Sequence, residues 1–232
     1  MAARESLHLR PTAPLSERVL LPGDHGRALA LAQALLVEPR MFNHHRGLWG
    51  YTGAAPDGEP LTIQSTGMGG PSAAIVLSEL IGLGARRAVR VGTCGALASG
   101  LELGELVLAR EAICADGTSR ALGASERASA DSALTGALAL AAPAAHLGTV
   151  VSVDLFYETD ASSHAAEHDA LAVEMEAATL FTLGAPAGVP VGCLLAVTDT
   201  FDSSGARSRI DEQALLVAAE RMGAAAIAAL SG

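Results

Sequence analysis

Two glycine-rich turns constrain this chain most. Leu21-Pro-Gly-Asp-His-Gly-Arg27 and Thr66-Gly-Met-Gly-Gly-Pro-Ser72 each end a short apolar run and open an amphipathic stretch. A strand that feeds a helix through a tight turn is the repeating unit of an α/β fold. The same alternation continues along the chain. Residues 19–21, 61–65, 88–91, 106–109, 148–153 and 191–197 read as buried strands. Residues 27–36, 71–83, 131–140, 175–183 and 211–230 read as helices. Pro71 stands where a first helical residue belongs, and Asp211 is placed to cap the last helix. No internal repeat, linker or break in composition interrupts residues 1–232, so one α/β domain is expected. Residues 116–132 and 157–170 read as the most irregular stretches, and strand order cannot be read from this pattern.

Half of the 232 residues are apolar and 17% are charged, so the chain has a core to bury and is not a disordered polymer. All 15 basic residues are Arg. Without Lys, mechanisms that need an amine are excluded, among them Schiff-base chemistry and the phosphate-loop Lys. A net charge of -10 with scattered arginines argues against a nucleic-acid groove or an anionic membrane surface. Three cysteines, Cys94, Cys114 and Cys193, are too few and too far apart for a disulfide scaffold. With no apolar run at the N-terminus, a reduced, cytoplasmic location is expected. The uncharged stretches 132–153 and 177–198 are not expected to span a membrane. Pro143 and His146 interrupt the first, and Gly184, Pro186, Gly188, Pro190 and Gly192 divide the second into helix, loop and strand.

Several segments carry functional groups, each with a plainer explanation beside it. The 21–27 turn aims backbone N–H groups and Arg27 at an anion, or is only a strand-to-helix turn with a solvated Arg. The 66–72 turn lacks the dinucleotide-binding spacing; it is a tight packing turn or a ligand contact. Arg90 lies in a Val-rich strand end, where burial is costly unless it meets an anion or a structural carboxylate. Thr93, Gly92 and Gly95 add a hydroxyl and unhindered N–H groups nearby. Glu174 and Glu176 stand two apart where a strand gives way to a helix, as readers of vicinal hydroxyls or as dipole partners. Asp199 ends the strand 191–197, where functional groups of α/β sheets often lie and where loops often start.

The histidines and cysteines carry less. His44 and His45 cannot share a metal from a regular element, and His164 with His168 lacks a third ligand, so no metal site is expected. No Gly-x-Ser-x-Gly elbow occurs and no Cys has an assignable His. Cys94 reads as a buried thiol before it reads as a nucleophile.

Together these segments resemble the trimeric and hexameric nucleoside phosphorylase family, which includes purine nucleoside, methylthioadenosine and uridine phosphorylases. The matching pieces are Leu-Pro-Gly-Asp at 21–24, Asn-His-His-Arg-Gly at 43–47 and Gly-Met-Gly-Gly-Pro-Ser at 67–72. Arg-Val-Gly-Thr-Cys-Gly at 90–95, Asp-Leu-Phe-Tyr at 154–157 and Val-Glu-Met-Glu-Ala-Ala-Thr-Leu-Phe at 173–181 follow in the family's order. The resemblance covers about residues 8–200 and implies a central mixed β-sheet flanked by helices.

It also implies a glycosyltransferase that attacks the sugar C1′ of a nucleoside with phosphate, giving free base and (deoxy)ribose 1-phosphate. Phosphate is then a co-substrate, and no cofactor is expected. By the resemblance, phosphate meets Gly23, Arg27, Arg90 and Thr93, and Arg46 joins from a neighbouring subunit. Glu176 holds the ribose hydroxyls beside Glu174, Met68 and Met175 pack on the sugar, His8 of the neighbour reaches the 5′ end, and Phe156 stacks on the base. Sites shared in this way imply a homo-oligomer of at least two subunits. Asp199 matches the acid that protonates a departing purine, a role that requires it to hold a proton near neutral pH. No Gln lies between Gln64 and Gln213 and no Arg between Arg127 and Arg207, which removes the expected readers of uracil and favours purines. Two departures stand out: His25 replaces the family's Pro, and Glu212 occupies the offset of the Arg that assists the acid. Arg207 or Arg209 is left for that task. The alternatives are a uridine phosphorylase, a nucleoside hydrolase and a non-catalytic nucleoside-binding protein on the same fold.

Overall fold

The structure, a computed structural model, describes residues 6–157, 169–202 and 204–232. His164 and His168 lie outside the described residues, as does most of the stretch 157–170. In chain order, β1 (Arg18–Leu21) leads to α1 (His25–Leu35), β2 (Val37–Asn43), β3 (Gly50–Ala54), β4 (Pro60–Gln64), α2 (Gly70–Leu83) and β5 (Arg87–Ala96). There follow β6 (Leu106–Cys114), α3 (Gly117–Ala121), β7 (Arg127–Ser129), α4 (Ser132–Ala141), β8 (His146–Ser152) and β9 (Ala172–Glu174). The chain ends with α5 (Ala177–Ala187), β10 (Val191–Phe201), β11 (Arg207–Arg209) and α6 (Glu212–Leu230).

Local chemistry sets the helix starts. Asp24, Asp116, Asp131 and Asp211 each accept from a backbone N–H in the first turn of the helix that follows. Pro71 occupies the first turn of α2, as its sequence position suggests. The structure extends the expected helix 175–183 through Pro186 to Ala187. Pro186 sits in the last turn, so it costs only one intrahelical hydrogen bond, and left-handed Gly188 then closes the helix. Gly184 is a packing residue rather than a breaker, because a Cβ there would lie 2.7 Å from the Val189 carbonyl oxygen. The expected strand 106–109 runs on to Cys114 through a bulge between Ala109 and Glu111. Within 116–132, expected to be irregular, α3 and β7 form.

The strands make one mixed sheet. β4, β1, β5 and β10 lie side by side and parallel. β10 also pairs antiparallel with β6, and β6, β8, β9 and β5 pair in turn, so these strands close on themselves. β3 and β2 extend the open side beyond β4. On one face Val76, Leu77 and Leu80 of α2 meet Leu180 and Phe181 of α5. On the other, Leu31 of α1, Leu134 and Leu138 of α4 and Met222 of α6 form a second core. α6 is long and apolar enough to cross a membrane by length and composition, but half of it is buried against α1, α4 and the sheet. α4 and α5, which contain parts of the two uncharged stretches, are shorter apolar helices.

Parallel packing brings the carboxyl ends of β1, β4, β5 and β10 to one edge. The glycine-rich turns leave β1 and β4 there, and Asp199 stands near the end of β10, so the edge gathers most of the chemistry.

Candidate active site

Arg90 is 3% exposed in β5, paired in register with Leu21 of β1 and Cys193 of β10. Its guanidinium folds over Gly92, where a Cβ would lie 2.7 Å from the Arg90 Cζ. A Cβ at Gly23 would lie 4.0 Å from Arg90 Nη1 and 3.5 Å from the Gly67 carbonyl oxygen. The first turn, the second turn and the buried Arg therefore meet within one small volume. Arg27 enters from the first turn of α1, its backbone N–H donating 2.7 Å to Asp24 Oδ1.

Two carboxylates hold Arg90. Its Nε lies 3.0 Å from Glu174 Oε2, off the hydrogen-bonding direction, and its Nη2 pairs with Glu176 Oε2. The ion-pair account of the buried Arg is thus part of the answer. It is not the whole answer, because Arg90 Nη1 and Arg27 Nη1 are buried without hydrogen-bond partners among the described residues. Burial disfavours the Arg90 cation, but Glu176 and Glu174 outweigh it and move its pKa up. Burial lowers the Arg27 pKa, which Asp24 counters and Arg90 reinforces. Burial also raises Glu176, against the pull of Arg90 and with the push of Glu174. The Gly69 N–H donates to Glu176 Oε1, so this carboxylate ties the second turn to Arg90. Two unpartnered guanidinium nitrogens beside open backbone suit an anion.

Asp199 forms the second corner, one strand away. The register slips between Val197 and Asp199, a bulge that sets Asp199 opposite Gly95 of β5. Arg207 Nε donates 2.7 Å to Asp199 Oδ1, whereas Arg209 Nη1 is 3.8 Å away. Thr198 Oγ1 lies 2.8 Å from Asp199 Oδ2 and 3.2 Å from the Cys94 carbonyl oxygen. With one proton, this hydroxyl donates to one of them at a time, so it can also accept from a protonated Asp199. Arg207 lies over the Phe156 ring, 5.0 Å from its centroid. Phe156, half-exposed, packs edge-on against Tyr157.

The remaining expected residues are placed less centrally. Met68 is exposed, and Met175 and Thr93 are half-buried. Arg46 is exposed on the turn after β2 with φ 61°. His8 lies on the N-terminal segment, where its Nδ1 is 2.7 Å from Glu79 Oε1 of α2. The His8 carbonyl is 3.1 Å from His45 Nδ1, so the segment with His8 and the turn with Arg46 form one unit. Cys94 and Cys193 are buried and their pKa values rise with burial, which leaves Cys94 a poor nucleophile. Among the described residues no group of three or more His, Cys, Asp or Glu could hold a metal ion.

Sequence reasoning singled out neither Ser152 nor Glu79, and it found the turn at Gly69 but not its tie to Glu176. Ser152 ends β8 opposite Glu174 and donates to its Oε1. A polar residue closing a run of buried valines was the available signal. For Glu79 there was none, since its partners lie about 70 residues away on an extended segment.

The family model described as the phosphorylase superfamily matches residues 17–231. A purine nucleoside phosphorylase DeoD-type of Alkaliphilus metalliredigens is 35% identical over 212 residues, covering 86% of this chain and 89% of that protein. A uridine phosphorylase of Thermococcus kodakarensis is 35% identical over 227 residues, covering 87% and 79%. The crystal structure of uridine phosphorylase from Vibrio fischeri ES114 superposes with a TM-score of 0.80 at 27% identity, covering 94% of this chain and 92% of that one. Its mixed sheet flanked by helices is the architecture described above.

Proposed function

The chain belongs to the phosphorylase superfamily, and from that premise we propose that it transfers the pentosyl group of a purine nucleoside to phosphate. A phosphate oxygen bonds to C1′ as the bond from C1′ to the base nitrogen breaks. The electron pair leaves with the base, and Asp199 supplies the proton that neutralises it. The products are free base and (deoxy)ribose 1-phosphate. An oxocarbenium-like sugar forms between the two, so anionic groups on either side stabilise it.

The observation that carries this reading is the pair of buried guanidinium nitrogens, Arg27 Nη1 and Arg90 Nη1, without hydrogen-bond partners among the described residues, the second of them beside Gly23. A phosphate dianion answers both, with Thr93 adding a hydroxyl. Glu176 takes the ribose hydroxyls, Met68 and Met175 the sugar faces, and Phe156 the base. Arg46 and His8 complete the site of a second copy of the chain, so a fully active monomer contradicts this part. A hydrolase or a non-catalytic binding protein has no use for the paired guanidiniums and Asp199 together.

One observation favours a second reading, uridine phosphorolysis. Arg207 lies outside the Arg-free interval and still reaches Phe156, where an Arg could read a uracil carbonyl. Against this, its Nε is engaged by Asp199.

Asp199→Ala separates the roles. It is expected to slow inosine phosphorolysis about 100-fold or more while sparing a nitrophenyl riboside, whose leaving group needs no proton. Equal losses on both substrates remove Asp199 from the acid role.

A further inference from the structure

Glu174 and Glu176 look equivalent in sequence, two carboxylates two residues apart, yet their surroundings differ. The Glu174 side chain is 0% exposed. Its Oε1 accepts from the Ala177 N–H at 2.9 Å and from Ser152 Oγ. Its Oε2 accepts from the N–H groups of Glu176 and Ala177, both at 2.9 Å, and faces Arg90 Nε at 3.0 Å. Ser152 Oγ, the Glu176 N–H and the Ala177 N–H, the last shared between the two oxygens, hold the carboxylate from β8 and the start of α5, with the Arg90 charge beside it. With its side chain fully buried, Glu174 presents no oxygen to a sugar hydroxyl.

We propose that Glu174 is a positioning residue that fixes Arg90 for the incoming phosphate and does not touch the nucleoside. This rests on the phosphorolysis reading above and replaces the expectation that Glu174 binds the nucleoside. Glu174 restrains Nε and Glu176 restrains Nη2, so Nη1 is the guanidinium corner left for the anion. Gly92 makes room for that fold of the side chain. Ser152 sets Glu174 in turn: its Oγ accepts from the Ala178 N–H at 2.9 Å, which directs the hydroxyl proton at Glu174 Oε1. Ser152, Glu174 and Arg90 thus form a line from the end of β8 to the anion pocket. A donor fixed before phosphate arrives has no reorganisation to undergo when it binds.

The test uses Glu174→Gln and Ser152→Ala in the full chain. Affinity for inorganic phosphate is measured by calorimetry, and the KM values of phosphate and nucleoside by steady-state kinetics. The nucleoside is inosine, or whichever of adenosine and uridine the wild type cleaves. E174Q is expected to weaken phosphate binding and raise its KM about tenfold, with the nucleoside KM within about twofold. S152A is expected to shift phosphate the same way by about threefold, and it decides alone if E174Q does not fold. A nucleoside KM that rises as much as the phosphate KM overturns the proposal, as does phosphate affinity left unchanged. A wild type that releases base without phosphate removes the reading beneath it, an outcome seen before any variant is made.

Discussion

Arg207 Nε lies 2.7 Å from Asp199 Oδ1, although the residue directly opposite Asp199 across the β10–β11 pair is Arg209. Arg209 is exposed and 3.8 Å away, so the diagonal neighbour makes the contact. The hydrogen bond to Asp199, set against slight desolvation, raises the Arg207 pKa. In the proposed reaction, a guanidinium at this oxygen would stabilise the carboxylate that remains once the proton has gone to the base. Arg207→Ala is expected to lower kcat about 10- to 100-fold, and Arg209→Ala to change it less than about twofold. Steady-state rates of the two variants check this, and equal effects would remove the distinction.

Gly92 is required by Arg90. A methyl group there would stand 2.7 Å from Cζ and 2.8 Å from Nη2 of a side chain held by two carboxylates. Gly92→Ala is expected to destabilise the protein by about 1–3 kcal/mol and to raise the phosphate KM severalfold. Chemical denaturation and kinetics measure both. An unchanged phosphate KM would mean that the guanidinium is not held as described.

Glu79 ties the N-terminal segment to α2. Burial works against its charge, but the N–H groups of Leu9 and His8, the His8 ring and the Ser6 hydroxyl bring its pKa to about 2, from an ordinary 4.5. A carboxylate lowered on folding stabilises the protein fully above pH 4.5 and loses that contribution as pH falls toward 2. Glu79→Gln is therefore expected to lower Tm at pH 7, with the gap to wild type closing near pH 2. The contribution lost is about 1–2 kcal/mol after solvent screening. A gap that persists at low pH would show that the charge of Glu79 is not its source.

Much of this fold could be read directly from the sequence. Buried runs such as 19–21 and 191–197 have no polar alternation to confuse them, and the turn at Gly67 and Gly69, both with positive φ, carries its own conformational demand. β2 could not be read, since much of it is exposed on a sheet edge, nor could β9 and β11, whose three residues carry no periodicity. The corner where Arg90 meets the two glycine-rich turns was legible because an Arg within a run of valines has few physical explanations. The division between Glu174 and Glu176 was not, because it depends on Ser152 and on backbone N–H groups that only the fold brings near. The choice of Arg207 over Arg209 likewise depends on the pairing of β11 with β10 and on the side-chain reach across it, which the sequence does not show.

The central claim is phosphate-dependent release of a purine by a chain whose Arg27 and Arg90 hold the phosphate. The most direct measurement is base release from inosine, adenosine, guanosine, methylthioadenosine and uridine, each with and without inorganic phosphate. Release from purine nucleosides only when phosphate is present is the expected result. Release that ignores phosphate, or that occurs with uridine alone, would contradict it.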